Sequence, residues 1–144
     1  MTFGFAPTLD DIETIARVAL KRLPEPFAGH LEKVVLIVED FPSEDMLDEL
    51  GIEDPYELTG LYTGNPAGRE AISGDLPAMI LLFRRAILDE WAASAEYDEA
   101  GKLKNRGVTL EDLVSHILIH EAGHHFSLSD DDMEWLEAEL KKPD

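Results

Sequence analysis

No cysteine occurs among the 144 residues of the chain. That excludes a disulfide framework, a thiol nucleophile and any thiolate metal site, so a bound metal would have to be held by imidazole and carboxylate groups. Basic residues are scarce as well: 12 Lys and Arg stand against 31 Asp and Glu, for a formal net charge of -19. Such a field repels phosphate backbones and anionic lipid surfaces and favours cations, so neither nucleic acid nor a membrane is an expected partner. No apolar run approaches the ~18 residues of a membrane span, and no basic segment leads into an apolar one near Met1. The expectation is a cytoplasmic protein with neither signal peptide nor span. Repeats and low-complexity tracts are also missing, and the length fits one domain over 1–144, expected to be a monomer.

Against those absences stands an ordinary globular composition, 44% hydrophobic and 30% charged, with clear periodic segments. Thr8 and Asp11 form a helix-start pattern, and Ile12, Ile15, Ala16, Ala19 and Leu23 recur at helical spacing, predicting a helix over about 9–22 that ends before Pro24 and Pro26. Lys33 to Glu39 is β-branched and almost wholly apolar, which predicts a central strand covered on both faces. Ser43 and Gly51 bracket a short helix over about 44–50, and Glu57 to Thr63 reads as a strand that Gly60 weakens and moves to an edge. Gly64 to Pro77 reads as a long loop. Ala78 to Phe83 is a third strand, followed by helical spacing from Ile87 to about Tyr97 and a polar connection, Glu99 to Gly107. Thr109 and Asp112 open a strong helix; Ser129 and Asp132 open a short final one carrying Met133, Leu136 and Leu140. Arg84 and Arg85 are expected to pair with acids rather than to bind substrate.

The penultimate helix carries His120-Glu121-Ala122-Gly123-His124, an H-E-x-x-H pattern. Side chains four apart are neighbours on one helical face, so both imidazoles can address one ion, while the glutamate, about 100° round, can reach a water on that ion without being a ligand. Leu110, Leu113, Val114 and Ile117 put the apolar side of the helix under the motif, so His120, Glu121 and His124 are expected to point inward. His125 lies too far round to join the same ion, and packing or support of the ligands from behind is its expected role. His116, at the margin of the apolar face, is expected to be exposed or hydrogen-bonded. Zinc in a catalytic site takes three protein ligands and a water. The third is sought among Asp130, Asp131, Asp132 and the acids of the last helix, Glu134, Glu137 and Glu139.

The stretch from His120 to Asp130 resembles the extended signature H-E-x-x-H-x-x-G-x-x-D, and with Leu23-Pro24, the strand Val34 to Val38 followed by Glu39-Asp40-Phe41-Pro42, Gly60-Leu61-Tyr62 and Pro77 to Arg85 the chain is similar to the small bacterial zincin-like metallopeptidases. The resemblance implies an α+β, minimal zincin (metzincin-like) fold, a small mixed sheet of about three strands packed on the N-terminal and active-site helices. It implies Zn2+ on His120, His124 and Asp130, with Glu121 as general base in peptide hydrolysis. It further implies an edge strand, Leu58 to Tyr62, that pairs with a peptide or protein substrate, with Gly64 to Pro77 able to gate the cleft. The chain departs from the signature at Ser127, where the family usually has the Gly of the turn that returns the third ligand; Asp131, Asp132 or a later Glu are the alternatives to Asp130. The rival class is a zinc-binding or peptide-binding module with a structural metal and no catalysis.

Overall fold

The structure is a computed structural model that describes residues 5–64 and 77–141. Helix α1, Leu9–Arg22, begins where the sequence signals it. Thr8 accepts a hydrogen bond from the Asp11 N–H and the Asp11 carboxylate accepts one from the Thr8 N–H, which satisfies two of the helix's first amides. Its apolar stripe, Ile12, Ile15, Ala16 and Ala19, is buried. A short helix α2, Phe27–Leu31, leads into strand β1, Val35–Glu39, and Ser43 then caps α3, Glu44–Leu50, which stops at Gly51 in the left-handed region (φ 68°). A 3-10 turn at Pro55–Glu57 precedes strand β2, Gly60–Thr63.

Strand β3, Met79–Phe83, runs directly into α4, Arg84–Ala93. It pairs parallel with β1 and antiparallel with β2, so the sheet order is β1-β3-β2. This mixed sheet of three strands with helices packed against it is the expected α+β architecture. Two expectations for the sheet need correction. The Val-rich strand β1 lies at an edge, with Val35 and Glu39 exposed, and the central strand is β3, whose Ile80, Leu81, Leu82 and Phe83 are buried. The β-branched run misleads because a parallel edge strand backed by helix α1 also needs an apolar inner face. Residues 57–59, expected to belong to the second strand, instead end the 3-10 turn opened by Pro55 and join it to β2.

The expected helix up to Tyr97 stops at Ala93, and the polar connection is a small hairpin of β4, Glu96–Tyr97, and β5, Leu103–Asn105. The Asp98 carboxylate closes its turn by accepting from the Ala100 and Lys102 amides. Helix α5, Leu110–Phe126, is capped by Thr109. The last helix, α6, Asp130–Lys141, is 12 residues long rather than short. The main core joins α1, β3, α5 and α6 through Ile12, Ile80, Val114, Leu118, Ile119, Met133 and Leu136; Leu81, Phe83 and Ala86 form a second cluster on the other face of the sheet. Arg84 pairs with Asp40 at 2.9 Å, as expected for an arginine beside so many acids, and Arg85 lies over the Phe41 ring. The loop expected from Gly64 to Pro77 falls, apart from its two end residues, outside the described residues. Among the described residues no helix is long and apolar enough to cross a membrane.

Candidate active site

Helix α5 and strand β2 build the site together. The Phe83 N–H donates to the Thr59 carbonyl at 2.9 Å, and the register pairs Gly60 with Leu82, Leu61 with Leu81 and Tyr62 with Ile80. Antiparallel pairing alternates, so Thr59 and Leu61 turn their main-chain groups to β3, while Gly60 and Tyr62 turn theirs to the outer edge of the sheet. Helix α5 packs on the sheet face that carries Tyr62, Ile80 and Leu82, and Glu121 reaches from it to the Tyr62 N–H at that edge. At Gly60 a β-carbon would come 2.9 Å from Ile117 Cγ2 and 3.3 Å from Glu121 Cγ, so the absence of a side chain is what lets strand and helix approach.

Glu121 points into this junction. Its side chain is only 13% exposed, and Oε2 is buried without a hydrogen-bond partner among the described residues, 3.5 Å from His124 Nδ1. Burial pushes its carboxyl pKa above the ordinary value; the nearby His124 and a hydrogen bond from the Tyr62 main-chain N–H pull the other way. An unpartnered buried oxygen on an acid costs about 1–3 kcal/mol and marks a group shaped for something other than self-satisfaction.

The two motif histidines do not both point inward. His120 is partly buried and its ring lies 4.4 Å from that of His116, whereas the His124 side chain is 59% exposed. The reason is the breadth of the apolar face of α5: Leu118, Ile119, Ala122 and Gly123 are buried along with Leu113 and Ile117, which turns residue 124 to the outside. His125 takes the inward position, 7% exposed, with Nδ1 2.9 Å from the Tyr62 hydroxyl and its ring against Tyr62 and Phe126. Burial holds the His125 imidazole below its usual pKa, helped by repulsion from His30, and burial raises that of the Tyr62 phenol.

Helix α5 ends at Ser127 in the left-handed conformation (φ 53°, ψ 41°), the one non-glycine residue with positive φ among those described. The Leu128 N–H returns to the Gly123 carbonyl at 2.9 Å and closes the turn. Serine thus performs the turn that glycine makes more cheaply, at about 1 kcal/mol. Asp130 follows as the first residue of α6, exposed, with Asp131 and Asp132 beside it. Asp132 is engaged in the helix start, its N–H donating to Ser129 Oγ. Glu137 is bound to His116 Nδ1 at 2.8 Å, and Glu134 is exposed. Among the described residues no group of three or more His, Asp or Glu is gathered closely enough to enclose an ion.

The residues nonetheless fit zinc in kind. Two imidazoles stand one turn apart, the acid between them has a buried oxygen unpartnered among the described residues, and three carboxylates, Asp130 to Asp132, open α6 six to eight residues after His124. His116 is both exposed and hydrogen-bonded, as expected, and its spacing to His120 is the sequence signal for their contact; Tyr62 lies in the expected edge strand, but its bonds to Glu121 and His125 have no motif that announces them.

Comparison with curated proteins gives no match. A family model described as zincin-like metallopeptidase matches residues 31–140, which include β1, the whole sheet, α5 and nearly all of α6. The fold, the junction of α5 with an edge strand and that match agree, and the chain belongs to the zincin-like metallopeptidase family.

Proposed function

We propose that this protein hydrolyses peptide bonds as a zinc-dependent metallopeptidase, with His120, His124 and Asp130 holding Zn2+ and Glu121 acting as general base. The observation that carries the reading is Glu121 itself: a carboxylate one residue from His120, turned into the α5–β2 junction, with an oxygen that no described residue satisfies. Zinc, when bound, would polarise the scissile carbonyl and bring the pKa of water towards neutrality.

The chain's own residues do the rest. Glu121 takes the proton of the attacking water and delivers it to the departing amine nitrogen. Its raised pKa suits both halves of that task, because a base that must give the proton back works best near the operating pH. The Tyr62 N–H holds the carboxylate in line with the edge strand. A peptide or protein substrate then adds along β2 through the outward groups of Gly60 and the Tyr62 carbonyl, the Tyr62 N–H being held by Glu121, which brings its main chain alongside that carboxylate. Asp130, which follows the Ser127 turn as the signature requires, is the preferred third ligand; Asp131 is next, since Asp132 serves the start of α6.

A mixed peptide library followed by mass spectrometry tests this. The zinc-loaded protein should cleave peptides, a chelator should stop it, and Glu121→Gln should lose about 10²- to 10⁴-fold in rate with zinc retained. Equal turnover by Glu121→Gln contradicts the assigned base. Tight zinc binding with no cleavage of any peptide favours the non-catalytic module.

A further inference from the structure

A second set of contacts adjoins the motif on its other side. His116 sits one turn before His120 on α5, and the two rings meet at 4.4 Å between centroids, tilted by 56°. His116 is not free to move away, because its Nδ1 is 2.8 Å from Glu137 Oε1 on α6. Helix α6 in turn is seated on α5: Met133 packs over Gly123, where a β-carbon would come within 2.5 Å of Met133 Cε, and Leu136 and Leu140 are buried in the core. A line of contact therefore runs from the packing of α6 through Glu137 and His116 to His120.

A histidine on a helix surface has two side-chain torsions and samples several rotamers, while ligation requires one. A carboxylate on the Nδ1 of His116 fixes the plane of that ring, and a fixed ring at 4.4 Å restricts the neighbouring one. We propose that His116, held by Glu137, is a positioning residue that keeps the His120 imidazole in its zinc-ligating orientation; this rests on the reading of His120 as a ligand. Neither His116 nor Glu137 touches the metal in this role.

The test is the zinc affinity of the full chain, stripped of metal and titrated against a chromophoric chelator, with the melting temperature of the metal-free protein measured alongside. His116→Ala and Glu137→Ala should each weaken zinc binding by about tenfold, the lower end of the effect of losing a ligand's supporting partner. The double variant should lose no more than either single one, because both act through one contact. His116→Phe, which keeps a ring against His120, should bind zinc more tightly than His116→Ala. Wild-type affinity in both alanine variants, whatever their melting temperatures, would reduce the pair to a tie between helices and overturn the proposal. A loss in His116→Ala as deep as that in His120→Ala would make His116 a ligand, which also overturns it. His120→Ala with undiminished affinity would instead refute the zinc centre itself.

Discussion

The Tyr62 hydroxyl and His125 Nδ1 lie 2.9 Å apart, and through them the edge strand is fastened to the helix that carries the motif. The same tyrosine uses its main-chain N–H on Glu121, so one residue positions the acid and secures the strand beside it. Tyr62→Phe removes the hydroxyl and leaves a buried imidazole nitrogen without its partner. A loss of about 1–2 kcal/mol is expected in chemical denaturation of the metal-free protein. An unchanged unfolding midpoint would show that water replaces the hydroxyl at no cost.

His125 also sets a pH dependence. Its folded pKa lies below the ordinary 6.5 because burial, then His30, disfavours the charged ring. Between those two values the unfolded chain binds more protons than the folded one, so acid favours unfolding. The contribution is fully present above about 6.5, is lost as the pH falls towards the folded pKa, and changes no further below it. The stability difference between the wild type and His125→Phe isolates this group from the many carboxylates. That difference should move against the wild type as the pH drops from 7 to 5; a flat difference curve contradicts the burial of a neutral ring.

The two glycines of α5 and β2 are expected to respond unequally to a methyl group. At Gly60 the obstruction is the branched Ile117 side chain and the stem of Glu121; at Gly123 it is the thioether end of Met133, which has torsions to spare. Gly60→Ala should cost about 1–3 kcal/mol and reduce hydrolysis by displacing the strand from Glu121, whereas Gly123→Ala should cost less. Equal effects in thermal unfolding and in the cleavage assay would mean that the α5–β2 approach is not tight.

Much of this arrangement is legible in the residues. Thr8, Ser43 and Thr109 announce their helices because a side-chain oxygen in front of an apolar period has one dominant use, and all three cap as read. Gly60 as a mark of the edge strand holds for a reason its sequence context does not reveal, the approach of Ile117. The order of the sheet was not legible: Lys33 to Glu39 has the composition of a central strand, yet which strand lies between the others is decided by pairing across the chain. The outward turn of His124 was likewise hidden, since an apolar face as wide as that of α5 does not fix which of two adjacent histidines is inside. Ser127 shows the opposite case: the signature calls for a left-handed turn there, and the backbone adopts it despite the side chain.

Zinc titration of metal-free protein, wild type beside His120→Ala, His124→Ala and Glu121→Gln, addresses the central claim most directly. The account predicts one equivalent bound tightly by the wild type and by Glu121→Gln, and no tight site once either histidine is removed. Full-strength binding in both histidine variants, or no binding in the wild type, would contradict it.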